Sequence, residues 1–310
     1  MTAYRHIFGP VPSRRYGRSL GVDLSVPKTC SLDCRFCQLG ANLKTTITRS
    51  AIPDINAVLT ELRQWLSTGE PLDFITASGS GEPTLHTHFG DLFRFVKNET
   101  PCHSLLLTNG TLLTLPEVRC DAALADVVKL SLHAWDQASF EQITRPHPDL
   151  KFNAILNGYH AFRQQFKGRL DLEVFIIPGM NDAPEQVQRI VELARSFQPD
   201  EVTLNTAVRP PADHTITACP PEKLQALTAL FGHLAQHSGH DPAKASLALD
   251  EPALVALIQR HPVTLATLAV TFKKTEDEMH AFLAPLIQQQ KIRFFTSDNN
   301  LFVSDASFHN

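Results

Sequence analysis

Three cysteines, Cys30, Cys34 and Cys37, fall within eight residues in the stretch KTCSLDCRFCQLG. Thiolates so spaced can grip a metal centre and leave one of its positions open. Zinc would complete its four ligands with a histidine or water. An iron–sulfur cluster usually takes four cysteines, so three leave one iron with a free site for a substrate or cofactor. The thiols alone do not choose between these. Cys102, Cys120 and Cys219 are scattered and read as small, buried or partly buried residues.

The elements that must position these thiols follow from the pattern of apolar residues. From residue 18 to about 237, short β-rich runs alternate with stretches of helical spacing. Strands are expected over 19–24, 72–77, 104–108, 127–132, 170–177 and 201–206. In the first helix Ile55, Val58, Leu59, Leu62, Trp65 and Leu66 share a face. Val187, Ile190, Val191, Ala194 and Phe197 do so in the fifth. Leu224, Leu227, Leu230, Phe231 and Leu234 do so in the sixth. Strands alternating with helices imply a parallel sheet covered by helices. Six such units fall short of the eight of a complete barrel. The expected class is α/β, a partial (β/α)6 TIM-like barrel, with a doubly wound sheet as the rival.

Ligands of such sheets gather at the C-terminal ends of the strands. The residues expected there are polar: Ser78-Gly79-Ser80-Gly81-Glu82-Pro83, Thr108-Asn109-Gly110, Ser131-Leu132-His133, Pro178-Gly179-Met180-Asn181-Asp182 and Asn205-Thr206. Strand alternation puts Lys129, Ser131 and His133 on one face. Thr76 with Ser78, Thr203 with Asn205, and Asp171 with Glu173 and Phe175 are grouped likewise. The helix-covered outside should be apolar, so these faces point inward to a lined cavity.

Residues 1–238 form this body, 239–250 (GHDPAKASLALD) read as a linker, and 251–310 form a second unit. In the second unit Leu254, Leu257 and Ile258 suggest a helix ending near Arg260. Thr264 can cap a short helix, and Thr275 with Glu278 makes a capping box for a third. Residues 292–296 and 301–303 then form a hairpin about Ser297-Asp298-Asn299-Asn300. Three helices and a hairpin predict a winged helix, whose third helix commonly enters the DNA major groove. Here that helix opens with Glu276, Asp277 and Glu278, and only Lys273 and Lys274 precede it. Docking of a protein, RNA or other substrate is expected rather than duplex DNA.

At 43% hydrophobic and 19% charged residues the chain can build a core. Its net charge of −4 gives no general push toward polyanions or membranes. Residues 1–50 are the exception, with eight Lys or Arg against two Asp. Arg14, Arg15, Arg18 and Lys28 either grip an anionic substrate or pair within an N-terminal arm. The first residues lack the apolar segment of a secretory signal, and no run approaches the ~18 apolar residues of a membrane helix. A soluble, cytoplasmic protein without membrane contact is expected. Clustered cysteines in that compartment are metal ligands or catalytic groups more often than disulfides.

Cys30-x3-Cys34-x2-Cys37, with Phe36 before the last cysteine, resembles the cluster loop of the radical S-adenosylmethionine (radical SAM) superfamily. Ser78-Gly79-Ser80-Gly81-Glu82-Pro83 resembles that family's Gly-Gly-Glu-Pro motif, with Ser80 replacing one glycine. The resemblance covers residues 18–237. PVPSRRYGRSLGVDL, SGSGEPTLH and LNTAVRPPADH further resemble a group of Fe–S oxidoreductases similar to the wyosine-base-forming tRNA enzymes. The resemblance implies that Cys30, Cys34 and Cys37 hold a [4Fe–4S] cluster whose open iron takes S-adenosyl-L-methionine. It implies a one-electron donor such as flavodoxin or ferredoxin. One electron then cleaves the cosubstrate to methionine and a 5′-deoxyadenosyl radical, which removes hydrogen from an unactivated carbon. It places Phe36 near the adenine and Gly79, Ser80, Gly81 and Glu82 at the methionine ammonium. Thr108, Asn109 and Ser131 fall at the methionine carboxylate or ribose, and Pro178–Asn181 near the adenine. His133 and Arg209 are candidate catalytic residues, and His86 a further proton donor or substrate contact. The substrate is an RNA, a peptide or protein, or a small molecule. The alternative is a zinc-binding winged-helix regulator, which would not need the Gly-Ser-Gly-Glu-Pro loop or the large βα body.

Overall fold

The computed structural model describes residues 4–13, 15–42, 44–235, 249, 251–258, 262–297 and 300–306. Arg14, Arg260, the predicted linker apart from Leu249, and Asp298 and Asn299 of the predicted turn lie outside the described residues.

All six predicted strands form: β2 (Gly17–Val22), β3 (Phe74–Ala77), β4 (His103–Thr108), β5 (Val127–Ser131), β6 (Arg169–Phe175) and β7 (Glu201–Asn205). They pair in chain order, all parallel. A further strand, β1 (Ile7–Ser13), pairs antiparallel with β2. Two prolines and a glycine break the alternation of β1, so the sequence pattern does not reveal it. The covering helices are α1 (Ile55–Leu66), α2 (Phe89–Glu99), α3 (Pro116–Ala122), α4 (Gln137–Thr144), α5 (Phe152–Gln165), α6 (Pro184–Ser196) and α7 (Pro221–Ala229). Their apolar faces meet the sheet in one core that includes Val58, Leu62, Phe93, Val96, Phe162, Val191 and Phe197.

The sheet curls. Neighbouring strands lie ~4.8 Å apart, so a flat sheet would put β2 about 19 Å from β6 and about 24 Å from β7. Yet Tyr16, one residue before β2, donates its hydroxyl to Asp171 of β6 at 2.8 Å. Arg15 reaches Glu201 of β7 at 3.4 Å. Arg169 pairs with both carboxylates and closes the network. Below it Tyr16 packs with Phe74, Leu105, Leu107 and Val127. The N-terminal ends of the strands are thereby plugged, and the concave face is left accessible from the other end.

The second unit contains α8 (Glu251–Ile258), β8 (Val263–Thr264), α9 (Leu265–Phe272), α10 (Glu276–Gln288), β9 (Ile292–Ser297) and β10 (Asn300–Asp305). Its sheet is antiparallel in the order β8-β10-β9. Thr264 caps α9, and Thr275 with Glu278 forms the capping box of α10. α8 lies against β1, and Val11 of β1 enters the second unit's core beside residues such as Leu254, Leu268 and Leu283. The edge strand of the large sheet is thus packed against the second unit.

Val11→Asp should weaken this docking, because it places a charge among apolar side chains. A loss of about 1–3 kcal/mol is expected, seen as a Tm lowered by roughly 3–10 °C in calorimetry. An unchanged Tm would mean that the contact between α8 and β1 contributes nothing to stability.

Candidate active site

Every parallel strand sends something to the cysteine loop, which follows β2. From β3 come two backbone bonds: Lys28 N donates to Ser80 O (2.7 Å) and Glu82 N to Thr29 O (2.9 Å). Asp23 accepts from the backbone N and Oγ of Ser80 at 3.1 and 2.8 Å. A side chain at Gly79 would overlap Asp23, and one at Gly81 would overlap the Thr29 carbonyl. These glycines therefore let one loop lie against another.

From β4 comes a carboxylate-centred knot. Glu82 is buried. Its Oε1 accepts from Thr84 N, Thr84 Oγ1 and Thr108 Oγ1 at 3.0, 2.6 and 2.5 Å, and its Oε2 from Asn109 N at 2.8 Å. Burial pushes this carboxyl up, while the four donors act in the opposite direction. Asn109 Nδ2 donates to Ser31 Oγ at 3.0 Å and stands 3.5 Å from Cys30 Sγ. Thr111 Oγ1 meets Ser31 Oγ at 2.7 Å.

The end of α4, after β5, supplies backbone carbonyls. Asp33 N donates to Thr144 O (2.9 Å) and Arg35 N to Ile143 O (3.2 Å). From β6, Phe175 stacks on Phe36 with centroids 4.1 Å apart and planes 14° from parallel. His133 meets Phe36 edge-on at 4.9 Å. From the segment after β7, Ala212 N donates to Cys37 O and Asp213 N to Arg35 O at 2.9 and 2.8 Å. Arg35 Nη1 binds Asp213 at 2.7 Å, and Arg209 Nη1 binds Gln38 Oε1 at 2.7 Å.

The three thiols are free and partly buried. Burial pushes Cys30 up to about 12, with the Glu82 charge adding to it. Burial raises Cys34 and Cys37 as well. Such a set is stabilised as thiolates by a cationic metal centre. Three partly buried thiols, with no fourth cysteine in the loop, are a donor set that fits a [4Fe–4S] cluster with one iron left open.

Beneath the loop the concave face carries the predicted polar residues. Glu173 of β6 pairs with Lys129 of β5 and accepts from Asn205 Nδ2 of β7 at 2.6 Å. Burial acts to raise the Glu173 carboxyl, but Lys129, with His133 and Arg15, together outweigh it and the net direction is down. His133 Nδ1 accepts from Phe175 N at 2.9 Å, so a neutral ring carries its proton on Nε2. Burial lowers His133 to about 4.

Several expectations change in detail. Arg15 and Arg18 are paired with Glu201 and Asp73, so they are not free grips for phosphate. Asn181 donates to the carbonyls of His133 and Phe175 at 2.9 and 2.8 Å and ties two strand ends together. His86 Nε2 lies 2.7 Å from Pro53 O, in the segment that precedes α1. Cys120 is exposed rather than buried. The Ser131 carbonyl and that of Asn109 lie 2.8 and 2.9 Å from the Tyr159 hydroxyl. Sequence reasoning missed Tyr159, Asp23 and Asp213, which look like ordinary core and loop residues until the chain is folded. Among the described residues no helix is long and apolar enough to cross a membrane.

Residues 24–194, more than half of the chain, match the Radical SAM superfamily model. GTPase Obg of Brachyspira hyodysenteriae is 32% identical over 295 residues, 93% of this chain and 43% of that protein. The chain thus spans less than half of that relative's length, and its sequence has no G-x-x-x-x-G-K-[ST] loop. A UPF0026 protein of Helicobacter pylori (strain J99) is 32% identical over 265 residues, 83% of this chain and 85% of its own. Among solved structures, TYW1 with a lysine-pyruvate adduct bound aligns with a TM-score of 0.51 at 18% identity, over 76% of this chain and 77% of that one. A radical SAM methyltransferase from Sphaerobacter thermophilus aligns at 0.50 and 18%, over 70% and 65%. These likenesses show the fold. Taken with the curled parallel sheet and its three-cysteine loop, the matches establish that the chain belongs to the radical SAM superfamily of enzymes, whose cofactors are a [4Fe–4S] cluster and S-adenosylmethionine.

Proposed function

We propose that Cys30, Cys34 and Cys37 hold the cluster over the mouth of the concave face, where the substrate's reacting carbon is delivered. One observation carries the reading: contacts from the C-terminal side of every parallel strand meet in the cysteine loop. When bound, the cluster supplies the electron that cleaves S-adenosylmethionine and so starts radical chemistry. Flavodoxin or ferredoxin is the expected kind of donor.

The protein's own residues orient and seal. Phe36, stacked on Phe175, offers an aromatic wall for the adenine. Glu82 Oε2 accepts one protein bond and retains a lone pair for the methionine ammonium, while Ser80 is engaged with Asp23. Thr108 and Asn109 are tied to Glu82, so their part is to hold that carboxylate in place. Ser131 lines the concave face. Neutral His133 fixes the Phe175 backbone and the Phe36 ring. Arg209 supports Gln38 beside the last cysteine. Both are positioning residues.

The concave face is plugged at its far end by Tyr16, so the substrate enters from the cysteine side. A single nucleobase, amino-acid side chain or small molecule suits such a recess. The pairing of Arg15 and Arg18 removes part of the case for RNA. A peptide or protein, with residues 251–310 as a winged-helix docking unit, gains by comparison.

Two outcomes test this reading. Purified without oxygen, the protein should be brown with about four irons per chain and should cleave S-adenosylmethionine. Cys34→Ala should lose both properties, and Cys102→Ala neither. Equal iron loss from the two variants would refute the ligand assignment. The second concerns His133. Its folded value of about 4 lies below the unfolded ~6.5. Between these the unfolded chain takes the proton and the folded one does not, so stability falls as pH drops through that window, by up to about 1.4 kcal/mol per unit. Nitrogen-15 NMR should show an Nε2–H ring that does not titrate above about pH 5. A midpoint near 6.5 would contradict this assignment.

A further inference from the structure

The segment after β7 crosses the open side of the sheet to reach the cysteine loop. β7 is the last strand and β2 the first parallel one, so no strand ladder joins them. The plug at Tyr16 and Arg15 bridges the gap at one end. At the other end the bridge is residues 209–213 against residues 35–38. Four bonds form it: Ala212 N to Cys37 O, Asp213 N to Arg35 O, Asp213 to Arg35, and Arg209 to Gln38.

Asp213 divides its two oxygens between separate tasks. Oδ1 accepts from Thr215 N and Thr215 Oγ1 at 3.1 and 2.6 Å, which shapes its own turn. Oδ2 takes Arg35 Nη1 at 2.7 Å and has Arg145 Nη2 at 3.9 Å. Arg145 also reaches Asp33 at 3.3 Å, and Arg35 Nε donates to Gln142 O at 2.8 Å. Arg35 sits between Cys34 and Phe36. Its guanidinium joins three stretches: the cysteine loop, the end of α4 and the strap after β7.

We propose that Asp213 and Arg35 form a latch that holds Cys34 and Cys37 in register from the far edge of the sheet. Asp213 is a positioning residue for the metal centre, 176 residues from Cys37 in sequence. Through it, closure of the barrel gap is coupled to retention of the cluster. The inference rests on the reading that these cysteines hold the cluster, but the bonds of the latch join protein groups alone.

Asp213→Asn is a selective probe. The amide keeps an oxygen for Thr215 and loses the charge that faces Arg35. In metal-free protein, iodoacetamide labelling of each cysteine is followed by mass spectrometry. Cys34 and Cys37 should label about tenfold faster in Asp213→Asn than in the native chain, the factor that corresponds to ~1.4 kcal/mol. Cys102 and Cys219 should keep their native rates. Arg35→Gln should reproduce the effect, and the double variant should be no faster than Arg35→Gln alone, because the bond between the two residues is already lost there. In the reconstituted holoenzyme, Asp213→Asn should start with full iron and lose it to a chelator several-fold faster. Native labelling rates in both single variants would overturn the latch. So would equal acceleration at all four cysteines, which marks general loosening. A native chain that never takes up iron would refute the cluster reading instead, and labelling would still decide the latch.

Discussion

The curl of the sheet is the constraint on which the site depends. Six parallel strands do not close a barrel, so nothing in the ladder itself brings the last strand toward the first. Side chains do this instead. Asp171 and Glu201, on the last two strands, sit at the buried end of a network with Tyr16, Arg15 and Arg169. Burying charge is costly unless partners are placed well, and here each carboxylate has more than one. The network therefore acts as a geometric clamp, and removing one partner would leave a buried charge less well compensated. Without the clamp, Phe175 and the strap after β7 would swing away from the cysteine loop.

At the opposite end the polar residues are first committed to one another. Glu82 accepts four bonds before any ligand arrives, and Asp23 binds Ser80 and Ser25. The loops at the strand ends therefore form a preorganised rim. That arrangement suits catalysis, since groups already fixed need no ordering when the cosubstrate binds. It also explains why Gly79 and Gly81 stand where they do: each lies against a neighbouring loop too closely for any side chain.

Much of this was legible in the sequence. Short β-rich runs between helical stretches located all six parallel strands, because the face of each strand that packs under the covering helices must be apolar. Alternation also placed Lys129, Glu173 and Asn205 on the concave face. β1 was not legible, since Pro10, Pro12 and Gly9 hide an edge strand whose pairing tolerates them. The N-terminal arginines were visible as charge but not as partners. Arg15 and Glu201 are 186 residues apart in sequence, and only the curl makes them neighbours. Asp213 was hidden for the same reason: its turn with Thr215 is local, but its bond to Arg35 spans the gap.

The second unit shows how one acidic run serves two ends. α10 begins with Glu276, Asp277 and Glu278, and carboxylates in a first turn favour the helix dipole. Glu278 goes further. Its carboxylate accepts from Thr275 N at 2.8 Å and pairs with Lys274 at 3.2 Å. The capping box therefore has a local cause. It also consumes one of the two lysines that precede the helix, and the other, Lys273, is held in the left-handed turn that ends α9. Affinity for a duplex rests on neutralised phosphates. A helix entrance with three acids and one engaged lysine lacks the charge for that. The acids at this entrance thus have a structural task within α10 itself.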